Sequence, residues 1–135
     1  MCNTLQVVCA IIVQNNRVLC AQRAENMSLP LKWEFPGGKI EPGESPENCL
    51  KREIKEELNL FIEVGKRLKS NVHTYGEGRQ IELIPFLARI KGGDLQVREH
   101  KQVIWKGFHD LKNLDWAEAD IPIMRVFVKN HSQIE

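Results

Sequence analysis

GKIEPGESPENCLKREIKEELNL, residues 38–60, carries the strongest structural signal in the chain. Ser45 and Pro46 predict a helix start, because a serine hydroxyl can cap the first turn and proline needs no N–H at the first helical position. The helix is expected to run to about residue 59. One face of the helix is apolar and is formed by Leu50, Ile54 and Leu58. The adjoining arc carries the three carboxylates of Glu53, Glu56 and Glu57.

The clustered carboxylates of this helix call for a compensating charge. Like charges at such spacing destabilise an isolated helix by about 0.2–0.5 kcal/mol per pair. All-oxygen clusters suit hard cations, and Mg²⁺ in particular is held by a few carboxylates, water and substrate phosphates. The alternative is a solvated acidic face paired with Lys51, Arg52 and Lys55. Runs of charged residues in proteins most often form such a solvated surface. The spacing of the wider segment decides between the two.

The rest of the chain alternates strand and turn signals. Apolar runs predict a buried hairpin over residues 5–13 and 17–23 and a short strand at 32–35, and a polar glycine-rich loop follows at 36–44. Beyond the helix, long strands are expected at 60–75 and 79–90, with a short strand at 103–105. A C-terminal helix over about 121–130 would take Asp120 as its N-cap.

Composition limits the classes of function. The 135 residues predict one domain, residues 1–135, and 42% hydrophobic and 27% charged residues are ordinary globular values. A net charge of +1 gives no global field for a nucleic acid polymer. Four cysteines without CxxC spacing predict free thiols in a reducing cytoplasm. No signal peptide and no membrane span are expected.

The fixed positions within residues 38–60 resemble the Nudix box. Its pattern is Gly, five residues, Glu, seven residues, Arg-Glu, an aliphatic, any residue, Glu-Glu, any residue, Gly and an aliphatic. The matching residues are Gly38, Glu44, Arg52, Glu53, Ile54, Glu56, Glu57 and Leu60. Asn59 replaces the usual glycine, and Asn is the next best residue at positive φ after a helix. The order of elements matches the MutT-like branch, which implies an α/β/α sandwich around a central mixed sheet.

The resemblance implies a metal site that holds Mg²⁺, with Mn²⁺ as a possible substitute. Its ligands would be the carboxylates of Glu53, Glu56 and Glu57 and the carbonyl of Gly37. Arg52 would orient these glutamates by salt bridges.

Hydrolysis in this family implies attack of a metal-activated water on a phosphorus of the substrate. Glu53 or Glu99 would take the proton, although a loop glutamate such as Glu99 is more often simply solvated. Glu44 would brace the loop or support the metal ligands indirectly. A loop carboxylate without a catalytic role is the alternative for Glu44.

The resemblance also points to substrate-binding residues, namely Arg23, Phe35, Lys39, Arg79 and Asp120. Arginine can grip a phosphate or a base edge, and an aromatic face can stack on a base. Three of these residues also have a structural alternative. Arg23 could end an exposed strand, Phe35 could belong to the core, and Arg79 could be a surface turn residue.

Residues 116–123, WAEADIPI, resemble the corresponding segment of CTP pyrophosphohydrolases in this branch. An ionised Asp120 would accept a hydrogen bond from the exocyclic amine of cytosine. The predicted activity is therefore Mg²⁺-dependent cleavage of (d)CTP or a modified pyrimidine nucleotide to a nucleoside monophosphate and pyrophosphate, by a monomer or a homodimer. The alternatives are an 8-oxo-dGTP diphosphatase, a catalytically silent nucleotide-binding module and an ADP-ribose-type diphosphatase.

Overall fold

The chain forms a mixed sheet with a helix on each face, described for residues 3–131 in a computed structural model. In chain order the strands are β1 (Asn3–Gln14), β2 (Arg17–Gln22), β3 (Trp33–Glu34), β4 (Gly37–Lys39), β5 (Leu60–Arg67), β6 (Asn71–Tyr75), β7 (Arg79–Gly93) and β8 (Gln102–Gly107). The helices are α1 (Pro46–Leu58) and α2 (Asp120–His131), and a 3₁₀ helix covers Phe108–Asn113.

Strand β1 pairs with three other strands of the described sheet. It runs parallel to β7, from the pair Asn3 and Arg79 to the pair Ile12 and Ala88, and antiparallel to β2 and β4. Strand β7 pairs antiparallel with β5 and β6, and β2 pairs antiparallel with β3 and β8. One parallel pair inside an otherwise antiparallel arrangement makes the described sheet mixed, as expected.

Alternate residues of β1 face two separate cores. Val8, Ala10 and Ile12 belong to the core that contains the apolar face of α1. Cys9 and Ile11 belong to the opposite core, which contains Phe127 and other residues of α2. Because neighbouring side chains of a strand point to opposite faces, one strand supports both helices. The α/β/α sandwich is confirmed.

Local signals near α1 and the first hairpin also act as the sequence predicts. Asn15 and Asn16 both have positive φ, 52° and 60°, between β1 and β2, which suits a tight hairpin turn. The Ser45 hydroxyl accepts a hydrogen bond from the Asn48 N–H at 3.1 Å. Asn59 follows the helix at φ 57° and ψ 37°, the left-handed conformation for which asparagine can replace glycine.

The predicted long strand over residues 60–75 is wrong, because the chain forms two strands there. Strand β5 ends at Arg67 after an irregularity in its pairing, and β6 starts at Asn71. The break lies opposite Pro85, which has no N–H for a ladder hydrogen bond. The Leu68 N–H instead donates to the Pro85 carbonyl at 2.9 Å. Strand β7 is long enough to pair with both.

The predicted loop over residues 36–44 is also partly wrong, because Gly37–Lys39 pairs with β1 as β4. A Cβ on Gly37 would lie 1.9 Å from the Val8 carbonyl oxygen. The glycine therefore permits the close pairing rather than stopping regular structure.

Asp120 is not an N-cap, because α2 begins at this residue. Its carboxylate instead accepts a hydrogen bond from the Phe35 N–H at 3.0 Å.

Two composition-based expectations can be compared with residues 3–131. Cys9, Cys20 and Cys49 are free, as predicted, and are also buried, while Cys2 lies outside the described residues. Neither helix in this part of the chain has the length and apolar character needed to cross a bilayer.

Candidate active site

A cleft of about 1340 Å³ lies beside β1, α1 and the start of α2. Most of the residues singled out from the sequence line it, namely Arg23, Phe35, Gly37, Lys39, Glu53, Glu57, Arg79, Glu99 and Asp120. Glu44, Arg52 and Glu56 are not among its lining residues. Candidate metal ligands and candidate base-binding residues therefore line one cleft, and Arg52, which lies outside the lining, contacts Glu53 within it.

Arg52 connects the glycine-rich segment to α1. Its Nε lies 2.7 Å from Glu44 Oε2, and its Nη1 lies 3.1 Å from Glu53 Oε2 and 3.2 Å from Glu56 Oε1. Hydrogen bonds from Arg52, followed by one from the Glu41 N–H, lower the pKa of Glu44 to about 2. The hydrogen bond to Glu44 also raises the pKa of Arg52. The guanidinium thus stays charged and restrains three carboxylates.

Glu57 is the most unusual carboxyl in the cleft. It is 4% exposed, and its Oε1 has no hydrogen-bond partner. Burial raises its pKa to about 10, and a hydrogen bond and charge repulsion with Glu53 add to the effect, as does the charge of Glu99. An unpaired carboxylate oxygen in such a place is costly unless a cation or a proton compensates it.

Gly38 explains how Glu53 reaches the same region. A Cβ at position 38 would lie 2.3 Å from the Glu53 carboxyl carbon. Because the glycine lacks that atom, the Glu53 carboxylate can lie directly against the main chain of β4. The close approach of the Glu53 carboxylate therefore explains why glycine occupies position 38.

The donor set suits a divalent cation, since the buried Glu57 Oε1 lacks a partner and Glu53 lies beside it. Glu56 is more exposed and faces Arg52. Across residues 3–131, no three His, Cys, Asp or Glu side chains already converge as a metal-binding group. The side chains of Glu53 and Glu57 are thus brought together, whereas Glu56 would have to turn away from Arg52 to join them.

Asp120 also lines the cleft and is 5% exposed. Burial raises its pKa well above the ordinary range, partly opposed by the hydrogen bond from the Phe35 N–H. The Phe35 ring is 3% exposed and packs on Trp116 at a centroid distance of 4.7 Å. The ring of Phe35 thus lies in the core, and the backbone of this residue positions Asp120.

The three cationic candidates for substrate binding differ in whether their side chains are already bonded within the protein. The Arg23 guanidinium donates to Glu34 Oε1 at 2.8 Å and to the carbonyl and hydroxyl of Ser28 at 2.5 and 2.8 Å. It therefore holds the loop after β2. Lys39 and Arg79 line the cleft and are exposed, so they can approach an anion.

Two residues that the sequence reasoning missed, Glu34 and His100, also line the cleft. His100 Nε2 lies 2.8 Å from Glu34 Oε2, and His100 Nδ1 lies 3.8 Å from Glu57 Oε1. A signal for Glu34 existed, since an acidic residue between Trp33 and Phe35 in a short buried strand is unusual. His100 follows a charged loop, and no pattern marked it.

Comparison with known proteins places this fold and site in a family. The family model described as the NUDIX domain matches residues 3–127. A CTP pyrophosphohydrolase of Escherichia coli is 36% identical over 124 residues, which cover 92% of this chain and 91% of that protein. An 8-oxo-dGTP diphosphatase of Escherichia coli is 44% identical over 121 residues, which cover 89% and 93%.

A solved structure agrees with these sequence matches. The solution structure of the Escherichia coli ORF135 protein has a TM-score of 0.84 and 32% identity, and the match covers 98% of this chain and 95% of that one. The chain belongs to the Nudix family and is a Nudix hydrolase of the MutT-like type. Enzymes of this family generally use divalent metal ions.

Proposed function

We propose that the chain is a Mg²⁺-dependent nucleoside triphosphate pyrophosphohydrolase that prefers (d)CTP or a modified pyrimidine nucleotide. Its products would be a nucleoside monophosphate and pyrophosphate. The observation that carries the choice of base is the position of Asp120, whose buried carboxyl lies in the same cleft as Glu53 and Glu57. The relative named CTP pyrophosphohydrolase supports the same choice.

The metal end of the cleft would bind the phosphate chain. Glu53 and Glu57 would hold Mg²⁺, or Mn²⁺ in its place, and the carbonyl of Gly37 and the Glu56 carboxylate are further candidate ligands. The bound cation would supply charge neutralisation at the phosphate oxygens and a lower pKa for the attacking water. Exposed Lys39 and Arg79 would bind phosphate oxygens that extend beyond the carboxylates.

Proton transfer at this end would fall to a carboxylate that reaches the attacking water. Glu99 lines the cleft from the loop after β7 and is exposed, so it can approach the water from the solvent side. Glu53 is the second candidate, and its carboxylate is already held by Arg52 at 3.1 Å. Arg52 would keep Glu53 oriented, while Glu44 would keep Arg52 in place.

The base end would read the nucleobase through Asp120. The Phe35 N–H already bonds to Oδ2 of Asp120, so Oδ1 would be the atom that accepts a hydrogen bond from a ligand. An ionised carboxylate accepts from cytosine N4, whereas the O4 atom of uracil offers no donor. Asp120 would therefore favour cytosine over uracil.

A second candidate substrate, 8-oxo-dGTP, follows from the burial of the same carboxyl. Because burial raises the pKa of Asp120 well above its usual range, the group can carry a proton and donate as well as accept. A protonated Asp120 would offer the donor and acceptor pattern of an asparagine. The relative named 8-oxo-dGTP diphosphatase, at 44% identity, supports this candidate.

The experiment compares kcat/KM for CTP, dCTP, UTP and 8-oxo-dGTP in the wild type and in Asp120→Asn. We expect the substitution to lower kcat/KM for CTP and dCTP by about 10–100-fold and for UTP much less, since about 1–3 kcal/mol of base discrimination is removed. Glu118→Gln is the matched control, because Glu118 is an exposed neighbour that pairs with His73.

The outcomes separate the candidates. A wild type that prefers 8-oxo-dGTP, with little loss in Asp120→Asn, would favour the oxidised purine and a protonated Asp120. Equal losses for cytosine and uracil nucleotides would show that Asp120 does not read the base. The claim would then be restricted to nucleoside triphosphates in general.

We further propose that the enzyme acts on free nucleotides rather than on a nucleic acid polymer, as one domain over residues 1–135 in the cytoplasm. The net charge of +1 supports the first point, because a polymer binder needs an extended basic surface. Size-exclusion chromatography with light scattering would distinguish the monomer from the homodimer.

A further inference from the structure

Backbone hydrogen bonds hold the main chain on both sides of His100. The Gln96 and Arg98 N–H groups donate to the carbonyls of Leu58 and Glu57 at the end of α1, at 2.9 and 3.2 Å. The Lys101 N–H donates to the Gln22 carbonyl of β2 at 2.9 Å. The backbone of His100 is therefore held between the helix that carries Glu57 and the strand that leads to Arg23.

The side chain of His100 lies between two carboxyl groups. It is 3% exposed, and its Nε2 is 2.8 Å from Glu34 Oε2. An ionised carboxylate can only accept a hydrogen bond, so Nε2 donates. The other Glu34 oxygen accepts from Arg23 at 2.8 Å. Arg23, Glu34 and His100 thus form a hydrogen-bonded row in the cleft, and the far edge of the His100 ring faces Glu57.

The contact between His100 and Glu57 is incomplete. His100 Nδ1 and Glu57 Oε1 face each other at 3.8 Å, and both atoms are buried without a hydrogen-bond partner. Leaving such a group unpaired is unfavourable, and an apolar side chain at the same place would avoid this cost. Buried unpaired groups in native proteins call for an explanation, and a functional role is a common one.

We propose that His100 is a positioning residue, whose buried ring borders the Glu57 carboxyl and links its position to the Glu34–Arg23 pair. The inference rests on the proposed function, in which Glu57 holds the divalent cation. Groups that orient a metal-binding carboxylate typically change metal affinity or activity by about 10–100-fold when they are removed. His100 acts through Glu57 and needs no contact with the substrate.

The test uses His100→Gln and His100→Ala in the full chain. Glutamine can keep an N–H donor near the position of Nε2, so the Glu34 contact can persist, but it removes the ring edge that faces Glu57. Mn²⁺ binding is measured by titration calorimetry without nucleotide, and kcat and KM are measured with CTP. We expect both variants to bind Mn²⁺ at least about 10-fold more weakly and to lose at least about 10-fold in kcat. In His100→Gln, KM for CTP is expected to change by less than about threefold, because the contact with Glu34 is kept and Arg23 stays in place.

His109→Gln serves as the control, since His109 is an exposed histidine of the 3₁₀ helix and should leave both measurements unchanged. Thermal unfolding of His100→Gln shows whether the fold is retained. The proposal is overturned if His100→Gln binds Mn²⁺ and turns over like the wild type, or if the loss is confined to KM. A wild type that binds Mn²⁺ but cleaves none of the nucleotides would refute the proposed function, and Mn²⁺ binding alone would then decide the role of His100.

Discussion

Glu57→Gln should remove a specific pH dependence from the stability of the metal-free protein. The pKa of Glu57 is raised from 4.5 to about 10 in the fold, mainly by burial. Between these values the folded chain retains a proton that the unfolded chain has released. The stabilisation is therefore complete below about pH 4.5 and is lost as the pH rises through about 10.

The expected change in the free energy of unfolding follows from proton linkage. One proton difference changes the free energy of unfolding by about 1.4 kcal/mol per pH unit, so Glu57 lowers it by about 2–3 kcal/mol between about pH 6 and about pH 8. Buried Asp120 adds a slope of the same sign, which both proteins share. The wild type minus Glu57→Gln difference reports the contribution of Glu57 together with its interaction with Glu53.

The assay is urea unfolding with EDTA, followed by tryptophan fluorescence at several pH values. Glu56→Gln is the matched control, because Glu56 is an exposed carboxylate one residue away, and its slope should equal that of the wild type. Saturating Mg²⁺ should stabilise the wild type more at the higher pH, since metal binding displaces the proton. Parallel pH curves for the wild type and Glu57→Gln would refute the reasoning.

Four further substitutions test the network around this carboxyl. Glu53→Gln should lower kcat by at least about 100-fold with the fold intact, as measured by turnover and circular dichroism. Gly38→Ala should also lower kcat, because its Cβ would displace the Glu53 carboxylate. Gly37→Ala should lower the thermal midpoint more than Gly38→Ala does, because its Cβ would meet the Val8 carbonyl. Equal thermal midpoints for the two variants would contradict the assigned contacts. Arg52→Lys should lower kcat by about 10-fold, because one ammonium cannot replace the guanidinium fork, and unchanged turnover would argue against a positioning role for Arg52.

Short-range chemistry explains what the sequence could predict. Ser45, Pro46 and Asn59 set the bounds of α1 through interactions within one or two turns, and the alternation of β1 follows from strand geometry. The fixed spacing of the Nudix box then identified the family. These signals are local, so one sequence was sufficient.

Long-range pairing explains what the sequence could not predict. The β4 strand exists because Gly37 fits against Val8, and the break between β5 and β6 lies opposite Pro85 of another strand. Asp120 bonds to Phe35 across 85 positions, and His100 meets Glu34 across 66. No periodic pattern encodes such contacts, so the cap assigned to Asp120 was wrong and His100 was missed.

The central claim is cleavage of a nucleoside triphosphate to a nucleoside monophosphate and pyrophosphate, and product analysis tests it most directly. Wild type and Glu53→Gln are incubated with CTP, and in parallel with 8-oxo-dGTP, in the presence of Mg²⁺, and the products are separated by anion exchange. We predict equal amounts of the monophosphate and pyrophosphate from the wild type, no reaction with EDTA, and at most a trace from Glu53→Gln. Release of nucleoside diphosphate and inorganic phosphate, or equal rates for the two proteins, would contradict the claim.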